Sequence, residues 1–149
     1  MAEDQDQEQK TEEPTQKRLE EAAKKGNVPT SRDDTAPRTD LAGQIDALND
    51  VIYPGLNNGV YRAGFATTQL AYDEAFATVF ETLDMLEARL SDGRAWLHGN
   101  RFTETDIRTF VTLVRFDAAY HGIFKCNLRR IADYRHLQAY LERVYTLPG

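Results

Sequence analysis

Tyrosine is the residue type of this sequence with the clearest potential for chemistry, and Tyr61 stands in the most unusual setting. It lies in the stretch NNGVYRAGFATTQ, residues 57–69, shortly after Asn58 and Gly59. These two residue types predict a chain break, because glycine adopts positive φ freely and asparagine tolerates the left-handed region. A phenol can donate or accept a hydrogen bond, so it can exchange a proton with an aromatic hydroxyl. Tyr61 is therefore a candidate site residue, and a packing role at a helix break is the alternative interpretation.

Cys126, the single cysteine of the sequence, is the candidate nucleophile. Its neighbours Lys125, Arg129 and Arg130 are basic, and nearby cations lower the pKa of a thiol. However, Cys126 has no Cys-X-X-Cys partner, and no spacing rule connects it to His121. A structural thiol is the favoured interpretation. The three basic residues could instead bind an anion, although a solvated or salt-bridged turn accounts better for three such charges.

The spacing of the histidines bears on whether a metal site is expected, and the number of cysteines bears on the redox compartment. His98, His121 and His136 lack the spacing and the acidic neighbours of a metal site, so no metal is expected. A single cysteine excludes an intramolecular disulfide framework and fits a reducing compartment. We therefore expect a cytoplasmic protein without a metal cofactor.

Charge and hydropathy exclude two classes of partner. The net charge is −6, and residues 1–40 hold seven basic and eleven acidic residues. No basic face suited to nucleic acid is visible. The sequence has no run of eighteen apolar residues and no signal-peptide pattern. We therefore expect no nucleic-acid binding and no membrane-spanning segment.

Apolar residues divide the chain near residue 40. All fifteen aromatic residues fall from Tyr53 onward, so the first part cannot offset its ordering entropy by burial. Residues 1–39 are predicted to be a charged tail and linker, disordered or loosely helical, with a short polar helix at about residues 15–25. Residues 40–149 are predicted to be the folded domain.

The folded domain shows apolar residues at helical spacing, which predicts four or so helices. The first is predicted to start with Asp40 as its N-cap and to end before Pro54. The second is predicted from about residue 68 to residue 91, with Thr67 or Thr68 at its start. The positions expected to be buried in these two helices are Leu41, Ile45, Leu48, Val51, Ile52, Tyr72, Phe76, Val79, Phe80, Leu83, Leu86 and Leu90.

The later helices complete an all-α bundle. Thr103 and Asp106 have the spacing of a capping box, which predicts the start of a third helix. The positions expected to be buried in the last two helices are Ile107, Phe110, Val111, Val114, Leu137, Tyr140, Leu141 and Val144. No segment alternates with period two, and no repeat is visible.

Two smaller features lie near these helices. Trp96 and Leu97 are expected to anchor a loop onto the bundle. Arg115 and Asp117, in VRFDAAY, could position Tyr120 or could cap the helix, and the sequence leaves both interpretations open.

Three segments of the folded domain are long and idiosyncratic: IDALNDVIYPGLNNGVYRAGFATTQLAYDEA, TETDIRTFVTLVRFDAAY and FKCNLRRIADYRHLQAYL. On these residues, positions 41–149 resemble the C-terminal helical domain of glutathionyl-hydroquinone reductases, the Xi class of glutathione S-transferases. The resemblance implies a helical bundle of the glutathione S-transferase C-terminal type, an aromatic hydroquinone as ligand, glutathione as co-substrate, and a homodimer.

The same resemblance implies roles for two tyrosines. Tyr61 matches the tyrosine that exchanges a proton with the hydroquinone, and Tyr120 matches one whose hydroxyl lowers the pKa of the catalytic thiol. Both are expected to be catalytic. In the family that thiol lies in a Cys-Pro motif of a thioredoxin-like N-terminal domain, and these 149 residues contain no such motif. The chain is therefore expected to be a hydroquinone-side fragment, inactive alone.

Residues 1–33 carry a different resemblance. Their TEEPT string before a charged helix, with a Ser-Arg ending, resembles the cytosolic N-terminus of the flagellar type III export-gate protein that switches substrate specificity. The chain thus resembles a fusion of two fragments. An export-associated protein and a non-catalytic helical interaction fragment are the alternative functions.

Overall fold

The structure, a computed structural model, describes residues 38–149, with side chains from Asp40 onward. The polar helix expected near residues 15–25 lies outside the described residues, as does the linker up to residue 37. Within residues 38–149 every regular element is helical. The β-type pairings of this part are two isolated bridges in a loop, Trp96 with Gly99 and His98 with Arg101. The all-α prediction is therefore confirmed for the part of the chain that the structure describes.

The first helix, α1, spans Arg38–Ile52 and continues into a π-helical turn, Tyr53–Asn57. The prediction of Asp40 as N-cap is wrong. Asp40 lies inside the first turn, where a carboxylate favours the positive end of the helix dipole, and it accepts a hydrogen bond of 2.8 Å from the Gln44 side chain. Pro54 is the second residue of the π-helical turn and, because it has no N–H, it cannot continue the α-helical hydrogen-bond ladder there.

A turn at Asn58 does separate the π-helical turn from the next helix, as the predicted break requires, but neither Asn58 nor Gly59 takes the left-handed conformation. Asn58 is right-handed, with φ −86° and ψ −26°, and Gly59 begins the short helix α2, Gly59–Gly64. The glycine is needed for close packing and not for its conformational freedom. A Cβ at this position would lie 3.1 Å from Val79 Cγ2 and 3.2 Å from the carbonyl oxygen of Pro54.

The long helix α3, Gln69–Leu90, forms the centre of the bundle. Its predicted start is confirmed, because the Thr68 hydroxyl accepts a hydrogen bond of 3.1 Å from the amide of Ala71. Helix α3 packs against α2 and the π-helical turn before it. The predicted apolar face of α3 is buried from Val79 onward, and Tyr72 and Phe76 are partly buried at its edge.

Helix α4, Glu104–Arg115, begins with the predicted capping box of Thr103 and Asp106. The Thr103 amide donates to Asp106 Oδ2 over 2.9 Å. The predicted buried face of this helix is wrong, however. Three of its residues are exposed, Ile107 by 54%, Val111 by 40% and Val114 by 40%.

The inward face of α4 carries threonines and one leucine instead. The buried residues of α4 are Thr105, Asp106, Thr109, Thr112 and Leu113. Asp106 also accepts hydrogen bonds from the Leu97 amide and the Tyr140 hydroxyl, both of which lie inside the bundle. These bonds fix the rotation of α4, because positions three and seven residues after Asp106 must then also face inward.

The segment after α4 contains a second π-helical turn, Phe116–Tyr120, and a 3₁₀ turn, Ile131–Asp133, before the final helix α5, Arg135–Tyr145. The prediction for α5 is confirmed, since Leu137 and Tyr140 are fully buried while Leu141 and Val144 pack partly against the core. No helix among residues 38–149 is both long enough and apolar enough to cross a bilayer.

The loop before α4 is anchored as predicted. Leu97 is fully buried, and the Trp96 ring packs against Phe102 and Tyr140 at centroid distances of 5.0 and 6.4 Å.

Candidate functional site

The fold brings together the two tyrosines that the sequence singles out. The hydroxyl oxygens of Tyr61 and Tyr120 lie 3.0 Å apart, and either can be the donor. Their rings meet edge to face, with centroids 5.6 Å apart and planes at 68°. Tyr61 is 41% exposed and Tyr120 only 5%. The pair therefore has one phenol open to a ligand and one held inside the protein.

Each tyrosine is positioned by a different local element. Tyr61 projects from α2, and Tyr120 is the last residue of the second π-helical turn. That turn is closed by a hydrogen bond of 2.8 Å from the His121 amide to the Phe116 carbonyl. A π-helical turn adds one residue to the repeat and so redirects the side chains that follow it. The carbonyl of Tyr120 accepts from the Cys126 amide over 3.1 Å, which fastens the loop after it.

Two phenylalanines complete an aromatic cluster around the tyrosine pair. Phe124 lies 5.3 Å from both tyrosine rings, and Phe65 lies 5.4 Å from Phe124. Phe65 is 71% exposed and extends the aromatic surface outward from Tyr61. Sequence reasoning missed Phe124, because nothing in the spacing of a loop residue connects it to a helix some sixty residues earlier.

The environment of Tyr120 keeps it protonated. Burial raises the pKa of Tyr120, and the hydrogen bond with Tyr61 raises it further, while the nearby Arg115 guanidinium acts in the opposite direction. At neutral pH Tyr120 is therefore a phenol that can hold the Tyr61 oxygen through a hydrogen bond. The Tyr61 oxygen has further capacity to bond a ligand on its exposed side.

Arg115 and Asp117 serve different parts of the structure, which separates the two interpretations left open above. Arg115 is close enough to Tyr120 to influence its pKa. Asp117 instead accepts hydrogen bonds from the amides of Ile131 and Ala132, at 2.5 and 3.1 Å. Asp117 thus caps the 3₁₀ turn from a distance, and Arg115 faces the tyrosine pair.

Cys126 has the properties of a structural thiol. It is fully buried, and burial raises the pKa of its thiol to about 11. Two of the three basic neighbours are engaged elsewhere, since Arg129 pairs with Asp84 at 3.1 Å and Arg130 with Asp133 at 3.3 Å. The prediction that Cys126 is not a nucleophile is supported on both grounds.

Two of the three histidines in the described part of the chain, His98 and His136, have structural partners. The buried His98 contacts the Thr105 hydroxyl at 3.2 Å, and burial together with the nearby Arg89 lowers its pKa. His136 Nδ1 lies 2.8 Å from Glu87. Across residues 38–149 no three histidine, cysteine or acidic side chains come together in a way that could hold a metal ion.

A shallow cleft of about 310 Å³ lies away from the tyrosine pair. It runs between α1 and α3, and its lining residues are Val51, Pro54, Gly55, Thr78, Glu81, Thr82 and Met85. No group in this lining has the chemistry of a reactive site. The exposed aromatic cluster around Tyr61 is therefore the better candidate site, although it is open and not enclosed.

Comparison with known proteins assigns the fold. Residues 69–143 match the family described as the glutathione S-transferase C-terminal domain. The chain belongs to this family. Residues 8–48 match a second family, described as the FlhB HrpN YscU SpaS family, mostly over positions outside the described residues.

Two of the similar proteins are named glutathionyl-hydroquinone reductases. The chain is 67% identical over 94 residues to PcpF of Sphingobium chlorophenolicum, covering 63% of this chain and 30% of PcpF. It is 54% identical over 109 residues to YqjG of Escherichia coli K12, covering 73% of this chain and 33% of YqjG. The chain thus spans about a third of the length of the curated relatives it matches.

Solved structures agree with this relationship. The glutathione-bound structure of YqjG superposes with a TM-score of 0.73 at 50% identity, over 80% of this chain and 38% of that one. A Xi class glutathione transferase from Natrialba magadii gives 0.70 at 47% identity, over 72% and 32%. The fold is therefore the C-terminal helical bundle of a glutathione S-transferase, as the resemblance implied.

Proposed function

We propose that this chain supplies the hydroquinone-facing part of a glutathione-dependent reductase that removes glutathione from glutathionyl-hydroquinones. The observation that carries the proposal is the hydroxyl pair of Tyr61 and Tyr120, 3.0 Å apart with Tyr61 open to solvent. A phenol anchored from behind by a second phenol can bond an aromatic hydroxyl in either direction.

In the proposed reaction a cysteine thiolate attacks the sulfur of the adduct. The bond between that sulfur and the aromatic ring breaks, a mixed disulfide forms, and the ring carbon takes up a proton. A second glutathione then attacks the mixed disulfide, which releases oxidised glutathione and restores the thiolate. Tyr61 exchanges a proton with the hydroquinone hydroxyl. Tyr120, whose hydroxyl the resemblance assigns to lowering the pKa of the catalytic thiol, also holds the Tyr61 oxygen in place.

The attacking thiolate must come from outside residues 38–149. Cys126 is the single cysteine of the sequence, and it is buried with its pKa raised to about 11. A thiol of this kind is almost entirely protonated at neutral pH and out of reach of a substrate. In this proposal glutathione is a co-substrate held by a thioredoxin-like partner domain, and the chain alone does not turn over.

Location and assembly are part of the same proposal. A thiol-based reaction and a single buried thiol suit the reducing conditions of the cytoplasm. The exposed apolar side chains on α4, Ile107, Val111 and Val114, support an association surface and are consistent with a homodimer. Sedimentation of the purified chain measures this directly.

Two alternative functions are less favoured. An export-associated role rests on the match of residues 8–48, whereas the residues of the buried core, apart from Leu48, lie beyond that match. A helical interaction fragment without chemistry does not account for two phenols hydrogen-bonded at an exposed aromatic cluster.

The test replaces the matching helical segment of YqjG, 50% identical to this chain, by residues 38–149. We expect the chimera to remove glutathione from a glutathionyl-hydroquinone. Tyr61→Phe in the chimera should lower kcat by about 10²-fold, the usual size of a lost proton-transfer partner. Tyr145→Phe is the matched control, because Tyr145 is a 71% exposed phenol at the end of α5.

Two results would contradict the proposal. One is a chimera in which Tyr61→Phe is as active as Tyr145→Phe. The other is turnover by the chain alone that disappears with Cys126→Ser, since that would place the nucleophile at the thiol that the structure buries.

A further inference from the structure

Gly64, the last residue of α2, has no backbone reason to be glycine. Its φ is not positive, and glycine in a helix is less favourable than alanine. The reason lies in packing. A Cβ at Gly64 would overlap Phe124 Cγ and would lie 2.6 Å from Cδ1 and 2.9 Å from Cβ of the same side chain. All three nearest atoms belong to Phe124, so this one side chain fills the space that a methyl group at Gly64 would need.

Phe124 is also the ring that joins the two tyrosines. It meets Tyr61 edge to face at 5.3 Å and 65°, and it meets Tyr120 at 5.3 Å and 33°. Other aromatic neighbours within residues 38–149 contact one tyrosine of the pair but not both: Phe65 contacts Tyr61, and Phe116 contacts Tyr120.

The backbone around Phe124 is held on both sides. The Ile123 amide donates to the Ala119 carbonyl over 2.8 Å. Lys125 has a φ of 57°, which is unusual for a residue other than glycine and persists only where the surroundings fix it. Its carbonyl accepts a hydrogen bond of 2.6 Å from the Tyr72 hydroxyl. Phe124 is therefore presented to Gly64 by a fixed turn.

We propose that Phe124, seated on Gly64, is the positioning residue of the tyrosine pair and sets the distance and angle at which the two hydroxyls meet. Phe124 does not touch the reacting atoms in this account. Its catalytic consequence rests on the proposed function above, but its effect on the two tyrosines does not.

The test uses the full chain, labelled with ¹³C at the tyrosine Cζ atoms, and compares Gly64→Ala, Phe124→Ala and the double variant by NMR. Tyr61→Phe and Tyr120→Phe assign the two resonances. We expect Gly64→Ala to shift both resonances and to lower the titration midpoint of Tyr120 toward 10.0, because water reaches its hydroxyl and the contact with Tyr61 is lost. Phe124→Leu should keep part of the wild-type resonance pattern that Phe124→Ala loses.

The double variant is the critical measurement. If the Phe124 ring is what the methyl group meets, Gly64→Ala should cause a much smaller further change in the Phe124→Ala background, where only the Cβ at 2.9 Å remains to be displaced. Gly122→Ala is the matched control, since a Cβ at Gly122 meets nothing within 4 Å. The proposal is overturned if Gly64→Ala behaves like Gly122→Ala, or if its effect persists undiminished without the Phe124 ring.

If Gly64→Ala does not fold, the folding of the double variant tests the proposal instead. Recovery of the folded state in the double variant supports the proposal, and failure to recover contradicts it, because Gly64 would then be required for a reason other than Phe124.

The kinetic arm uses the YqjG chimera. Phe124→Leu should lower kcat about tenfold with KM changed less than twofold. If the NMR result holds and kcat does not fall, the positioning role stands and the proposed catalytic role of the tyrosines fails. If the NMR shifts are absent, the positioning role fails whatever the kinetics show.

Discussion

The Tyr140 hydroxyl donates a hydrogen bond of 2.8 Å to Asp106 Oδ1 in the buried interior, and the pKa of Tyr140 is raised by burial and by the adjacent carboxylate. Asp106 Oδ1 also accepts a hydrogen bond of 3.0 Å from the Leu97 amide, and Asp106 Oδ2 accepts one of 2.9 Å from the Thr103 amide. One side chain thus joins the loop before α4, the start of α4 and the inner face of α5.

Asp106→Ala should destabilise the bundle by about 3 kcal/mol, because it leaves three donors without their acceptor in or near the core. Urea unfolding followed by circular dichroism gives the free energy of unfolding. Asp133→Ala is the control, since Asp133 caps only the exposed 3₁₀ turn. A loss below about 1 kcal/mol for Asp106→Ala would show that the network matters little.

Glu87 on α3 caps the start of α5. Its carboxylate accepts from the amides of His136 and Leu137, at 2.9 and 2.7 Å, and from the His136 ring. Burial raises the pKa of Glu87, but these hydrogen bonds outweigh it and lower the pKa below its usual 4.5.

The stabilisation by Glu87 should therefore be complete above pH 4.5 and should be lost as the pH falls through the depressed folded-state pKa. Glu87→Gln should cost about 1 kcal/mol at pH 7 and should flatten the acid limb of stability against pH. The measurement is urea unfolding at stepped pH values. Glu74→Gln, at an exposed position on the same helix, should leave that limb unchanged.

The Cys126 thiol should react with a thiol reagent only when the bundle opens. Its full burial and its pKa of about 11 both suppress the thiolate. At pH 8 we expect modification of the folded chain to be at least about 10²-fold slower than that of the urea-unfolded chain. The rate is followed by absorbance of the released chromophore. Fast modification in the folded state would contradict the buried position.

The rotation of α4 predicts a sharp contrast between two neighbouring aliphatic residues. Measured at a concentration at which the chain is monomeric, Ile107→Ala should change the free energy of unfolding by less than about 0.5 kcal/mol, because Ile107 is 54% exposed in the single chain. Leu113→Ala should cost about 2 to 5 kcal/mol, since Leu113 is 1% exposed in the core. Equal losses in the two variants would contradict this rotation and support the buried face of α4 predicted from the sequence.

Local signals in the sequence predicted both ends of α3 and the start of α4. Thr68 and the pair Thr103 and Asp106 bond within their own first turns, so a few neighbouring residues determine those starts. The buried face of α4 could not be predicted in this way, because its rotation depends on bonds from Asp106 to residues nine and 34 positions away.

The candidate site was predictable only in part for the same reason. Tyr61 and Tyr120 were singled out individually, but their hydrogen bond spans 59 positions and needs the assembled fold. Phe124 carries no local signal, and its importance appears only when its ring is seen against Gly64. Asn58 and Gly59 misled because residues typical of turns were used for close packing inside a helical path.

That helical path carries glycine at positions 55, 59 and 64, and a methyl group at any of them would meet Thr82, Val79 or Phe124 respectively. The main chain on both sides of Tyr61 is therefore packed directly against side chains of the rest of the fold, with no room for a Cβ between them. The course of the main chain thus fixes the point from which the Tyr61 phenol projects, and the side chains of Phe124 and Tyr120 then set the direction of its hydroxyl.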